Sequence, residues 1–88
     1  MPVEQSRQFK GYTLRHSPSG VTAFHKDAEV GHLYAPEGVI ENVAVHPKHQ
    51  ERGLATAMLK FGRQFRPIAH DLESNMTPSG HAWAERNP

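Results

Sequence analysis

The hydrophobic period of this chain changes once, near Gly53, and that change leaves few architectures open. Ahead of it, short apolar stretches are separated by turn-forming clusters: Ser17-Pro18-Ser19-Gly20, Asp27-Ala28 and Ala35-Pro36-Glu37-Gly38. Such punctuation marks hairpins, because proline and glycine supply the dihedral angles that tight reversals need. The spacing predicts strands over residues 9–16, 21–26, 29–34 and 39–45. In the last of these, Val39, Glu41, Val43 and Val45 share one face, and Ile40, Asn42 and Ala44 the other. After Gly53 the residues Leu54, Met58, Phe61 and Phe65 recur at steps of four, three and four. That is the apolar stripe of a helix lying on a sheet. Pro67 predicts its end near Arg66, since the residue before a proline disfavours the helical region.

Beyond the helix, residues 67–70 (PIAH) predict a brief fifth strand, parallel to the fourth because a helical crossover separates them. Thr77-Pro78 reads as an N-cap followed by proline in the first turn, opening a short helix to about Arg86 with Trp83 on its buried face. The expected class is α+β: an α/β sandwich with a mostly antiparallel sheet of four to five strands, a long helix and a short C-terminal helix. Residues 1–88 are expected to form a single domain. A chain of 88 residues buries only about 60–65 % of its unfolded surface, and without cysteine no disulfide or thiolate metal site supports the thin core.

The formal net charge of +1 is spread along the chain, which argues against bulk nucleic-acid or membrane-surface binding. No apolar run approaches the roughly 20 residues of a membrane span, and MPVEQSRQFK lacks a signal-peptide core, so a cytoplasmic protein is expected. Seven histidines are present, but none form an H-x-x-x-H or H-E-x-x-H string, so no metal site is expected.

The segment HPKHQERGLATAMLK, residues 46–60, leaves a strand, crosses a polar loop and enters the helix at Gly53. A helix start presents backbone N–H groups without partners and the positive end of its dipole. Glycine there permits close approach of a ligand, and Lys48, Arg52, Lys60, His46 and His49 add a positive field. These residues suit a phosphate, and equally a tight turn with a solvated basic rim. Neither G-x-x-x-x-G-K-[ST] nor G-x-G-x-x-G occurs.

The string VIENVAVHPKHQERGLATAMLKFG resembles the acetyl-CoA-binding core of the GNAT superfamily of N-acetyltransferases. That core has a strand ending in V-x-V-x-P, a short basic loop, then Q/R-x-x-G-x-G/A opening a helix. The matching residues are Val43, Val45 and Pro47, then Gln50, Gly53 and Ala55, with EVGHLY resembling the preceding strand. The clear match runs from Glu29 to about Gly62. The C-terminal SNMTPSGHAWAERNP is similar to small actinobacterial and actinophage GNAT-like proteins through Thr77, Pro78, Gly80, Trp83 and Ala84. The resemblance implies a minimal acyl-CoA N-acyltransferase fold with acetyl-CoA as cosubstrate. Pyrophosphate would rest on the backbone N–H groups from about Glu51 to Thr56, through Arg52, Gly53, Leu54 and Ala55, with Gln50 a further cofactor-binding residue. Pantetheine would pair as an added strand with Val43, Ala44 and Val45.

By the same resemblance, an amine attacks the thioester directly and the N–H of Val43 or Val45 faces the oxyanion. Glu41 stands where a base is often found, and is otherwise one of several half-exposed strand carboxylates. Tyrosine is absent after position 34, so His81 is a candidate acid, or else a surface histidine. Ser74, Asn75 and Thr77 are further polar substitutes, and water could serve as well. Trp83 is a core plug or a stacking platform. The helix pair usual after the first strand and the two strands usual after the last helix have no counterparts here. Their absence implies an open acceptor site, taking a small molecule or a protein amine, and a sheet face that a homodimer or protein partner covers. Two functions follow: an N-acetyltransferase, or a reduced domain of this fold that binds coenzyme A or a protein without turnover. An unrelated α+β interaction module is the third reading.

Overall fold

The computed structural model describes residues 6–70 and 78–88. Five strands form one antiparallel meander in the order β1-β2-β3-β4-β5: β1 (Ser6–Phe9), β2 (Tyr12–Ser17), β3 (Gly20–His25), β4 (Ala28–Tyr34) and β5 (Asn42–Val45). A single 3-10 turn, Pro47–His49, leads to α1 (Leu54–Gly62), and α2 spans Pro78–Arg86. The α+β architecture is the expected one.

Its strands are not all those predicted. The single strand over 9–16 is a hairpin, because Lys10 and Gly11 both take positive φ, 48° and 85°, and reverse the chain between Phe9 and Tyr12. A two-residue turn of this hand matches the twist of the strands it joins. Lys26 and Asp27, at 50° and 69°, do the same between β3 and β4. The fourth predicted strand starts at Asn42 rather than Val39. Residues 67–70 make one parallel bridge, Val39 to Ala69, instead of a strand. Its bonds run from Ile40 N–H to the Ala69 carbonyl and from Ala69 N–H to the Gly38 carbonyl, 2.8 and 2.7 Å. The parallel sense is as predicted.

Register explains the core. Leu14, Ala23, Gly31 and Val45 stand in one cross-strand row, and His16, Val21, Leu33 and Val43 in the next. Both rows face α1, whose Leu54, Met58, Leu59 and Phe61 are buried against them. Gly62 is what allows the end of the helix to sit close: a Cβ there would come within 2.7 Å of Ile68 Cδ1 and 3.2 Å of Val21 Cγ2. Gly31 lies beneath Met58, and a Cβ there would crowd the Ala44 carbonyl oxygen of β5, at 3.1 Å. Ile40 and Ile68 close the far end of the core.

The helix ends at Gly62, four residues short of the predicted limit. Looser turns follow, with Phe65 N–H bonding the Gly62 carbonyl at 3.1 Å. This swings Phe65 back to stack on His16, ring centroids 4.1 Å apart. Burial first, then the Arg66 charge, hold the His16 pKa below its usual value. Arg66 also donates to the Ala35 carbonyl at 2.6 Å, tying this end to the β4–β5 connection. On the opposite sheet face Thr13, Arg15, Thr22, Phe24, His32, Tyr34 and Asn42 lie outside the core cluster, and Tyr34 is 44 % exposed. The predicted N-cap Thr77, with Ser74 and Asn75, lies outside the described residues.

Met58 is fully buried between α1 and β4. Met58→Ala should lower unfolding free energy by about 2–5 kcal/mol, read by urea denaturation followed by far-ultraviolet circular dichroism. A change below about 1 kcal/mol would contradict the packing of α1 described above.

Candidate functional site

Bonded and unbonded pairs alternate along an antiparallel ladder. His46 N–H bonds the Val30 carbonyl at 2.7 Å, so His32 with Ala44 is the next bonded pair. Val43 and Val45 therefore turn their N–H and C=O groups away from β4, toward an edge that no named strand covers. The Val45 carbonyl is met there by Gln50 Nε2 at 2.9 Å.

The chain beyond β5 curls back to place the start of α1 beside this edge. His46 Nδ1 accepts from Lys48 N–H at 3.2 Å and opens the 3-10 turn, with Pro47 fixed at its first position. Glu51 and Gly53 then take positive φ, 61° and 76°. Gly53 is the residue for which this conformation carries no side-chain penalty. No side chain caps α1, and Ala57 N–H is bonded to the Gly53 carbonyl, so the N–H groups of Leu54, Ala55 and Thr56 begin the helix facing outward.

A groove of about 670 Å³ joins these parts. Val43, Val45, Gln50, Glu51, Gly53, Leu54, Ala55 and Thr56 line it, eight of the ten residues predicted to hold a cofactor. Ala44 faces β4 with its backbone, and Arg52 turns aside toward Tyr12. The far wall is α2, through Gly80, Trp83 and Arg86, which repeat every third residue along one helix face. Trp83 is half-buried and donates from Nε1 to Thr56 Oγ1 at 3.2 Å. It packs on the core, as the first expectation has it, and it also lines the groove.

The predicted catalytic residues sit outside this lining. Glu41 is exposed, one residue ahead of β5, with its N–H on the Tyr34 carbonyl at 2.8 Å. His81, on α2, pairs with Glu85 at 3.6 Å. Lys60 is exposed farther along α1 and does not reach the groove.

A cluster that sequence spacing did not reveal stands beside the loop. The Tyr12 hydroxyl lies 2.8 Å from His49 Nδ1 and receives Arg52 Nη1 at 3.3 Å. The hydroxyl can accept the guanidinium N–H and still either donate to Nδ1 or accept from it, according to the His49 tautomer. The pKa of His49 is lowered, by loss of solvation first, then by His25, Arg52, His46 and Lys48. Among the described residues no group of three or more His, Asp or Glu could hold a metal ion. No described helix is long and apolar enough to cross a membrane.

On the other sheet face, Ser17, Ser19, Thr22, His32, Tyr34 and Asn42 surround a smaller hollow of about 310 Å³. The two depressions thus lie on either side of the β4–β5 edge.

The sequence model of the Acetyltransferase (GNAT) family matches residues 4–65, which runs from β1 through α1 and takes in the free edge, the loop and the helix start. No curated protein and no solved structure matches the chain. The match covers well over half the chain, and the protein therefore belongs to the GNAT acetyltransferase family.

Proposed function

We propose that this chain is a minimal acetyl-CoA-dependent N-acetyltransferase acting on a primary amine. The observation that carries the proposal is the meeting, in one groove, of outward-facing backbone at Val43 and Val45 with the uncapped start of α1. A coenzyme A ester has two parts that need these two features: an amide-bearing arm that can add to a strand edge, and a pyrophosphate. Family membership supports acyltransferase chemistry in general; the cosubstrate and the amine are our reading.

Acetyl-CoA would bring the activated thioester. Backbone N–H at Val43 or Val45 then donates to the carbonyl oxygen as negative charge develops on it. Glu41 takes the proton of the attacking amine, directly or through a water, so the nitrogen arrives with a free electron pair. The new C–N bond forms as C–S breaks, and the departing thiolate draws its proton from water. Trp83 and Arg86 shield one side of the groove, while the open hollow at His32, Tyr34 and Asn42 leaves the acceptor side accessible to a bulky amine.

The position of Glu41 and His81 outside the groove lining favours a second reading, a domain that binds coenzyme A without turnover. Calorimetric titration with acetyl-CoA tests what the two share; absence of binding at millimolar ligand would sink both. Thiol release across a panel of amines separates them. Glu41→Gln should lower kcat about 100-fold with the affinity for acetyl-CoA unchanged, and an unaltered kcat removes Glu41 from the reaction.

Ala55→Asp places a carboxylate in the first turn of α1, which favours the helix but repels phosphate. It should weaken acetyl-CoA at least about tenfold while circular dichroism shows an intact fold. Trp83 is the sole tryptophan, so intrinsic fluorescence should change saturably on titration with acetyl-CoA, and Ala55→Asp should shift that curve to higher concentration.

A further inference from the structure

Three imidazoles from two parts of the fold converge beside the groove. His25, the last residue of β3, lies 5.2 Å from His49 between ring centroids, and His46 lies 6.0 Å from His49. The Tyr12 ring is 5.5 Å from both His25 and His49. Arg52 reaches the same spot through the Tyr12 hydroxyl, and Lys48 sits in the 3-10 turn between His46 and His49. His49 also lines the groove, so the cluster is continuous with it.

No carboxylate among the described residues forms an ion pair with any of these groups. The charged neighbours on the adjoining turns are Lys10 after β1, Lys26 and Asp27 after β3, and Glu51 in the loop itself. Cations and imidazoles held this close repel one another: after the loss of solvation, His25, Arg52, His46 and Lys48 all act to lower the pKa of His49. An anion placed among them removes that repulsion. The fold uses one nitrogen of two of these rings, His46 Nδ1 at the cap of the 3-10 turn and His49 Nδ1 at the Tyr12 hydroxyl; His46 is exposed, His25 is half-exposed at a strand end, and neither belongs to the core.

We infer that His25, His46, His49 and Arg52 form a second phosphate site, which takes the phosphate monoester on the ribose of coenzyme A. The inference rests on the groove being a coenzyme A site. With the pantetheine arm along Val43 and Val45 and pyrophosphate at α1, the nucleotide end leaves the groove past His49 and meets this patch. A monoester suits such a patch, because it carries close to two negative charges near neutral pH and offers several acceptor oxygens to imidazole and guanidinium N–H groups.

Calorimetric titration of the full chain with coenzyme A and with 3′-dephospho-coenzyme A tests this. Coenzyme A should bind about tenfold more tightly. The double variant His25→Gln/His46→Gln should reduce the preference to about twofold. His25→Arg should enlarge it, a gain that damage to the fold cannot mimic. Equal affinity for both ligands overturns the phosphate site and leaves the groove assignment standing. A preference that neither variant alters also overturns it. Failure of either ligand to bind removes the groove assignment and this inference together.

Discussion

The seating of α1 on the sheet is the contact on which the rest of the molecule depends. Met58 settles over Gly31, and Gly62, with no side chain to hold it off Val21 and Ile68, brings the end of the helix close to the strands. Because the helix begins only a short loop after β5, its approach carries the unpaired N–H groups of Leu54, Ala55 and Thr56 alongside the strand edge. Move the helix outward and the edge and the dipole no longer act on one ligand. The thin core of a small domain is thus placed where it positions the site, and other surfaces are left comparatively bare.

The helix and the meander were legible because each follows a local rule. Leu54, Met58 and Phe61 repeat at helical spacing, and the turns at residues 17–20 and 35–38 are built from residues that tolerate little else. The first hairpin was not legible, since Lys10-Gly11 is flanked by residues equally at home inside a strand, and only pairing shows the break. The helix end was overestimated because Phe65 keeps the period of the stripe while packing on His16 from a looser turn. At the site, the backbone positions at 43, 45 and 50–56 follow from a contiguous motif. Tyr12, His25 and His49 do not: they are brought together by strand order, and 37 residues separate Tyr12 from His49.

The chemistry is divided unequally between backbone and side chains. Features that would grip a coenzyme are mostly main-chain groups, fixed by the ladder and the helix start. Those that would transfer protons are exposed side chains, Glu41 above all, set by nothing beyond their own strand. Rate in such an arrangement rests on holding the reactants together rather than on tuned acids and bases, since proximity alone supplies a large share of a bimolecular barrier. The bare face bearing His32, Tyr34 and Asn42 would fit that economy, since an amine taken there would have to bring part of its own surroundings.

Gln50 gives the edge of β5 another significance. An unpaired strand edge invites a strand from a second molecule, and many small sheet proteins precipitate by that route. Here the strand is four residues long, the amide of Gln50 already occupies the Val45 carbonyl, and α2 stands opposite with Trp83 and Arg86. A strand from a second molecule would have to displace these groups before it could pair with β5. The few contacts that bound the groove therefore also guard the strand edge.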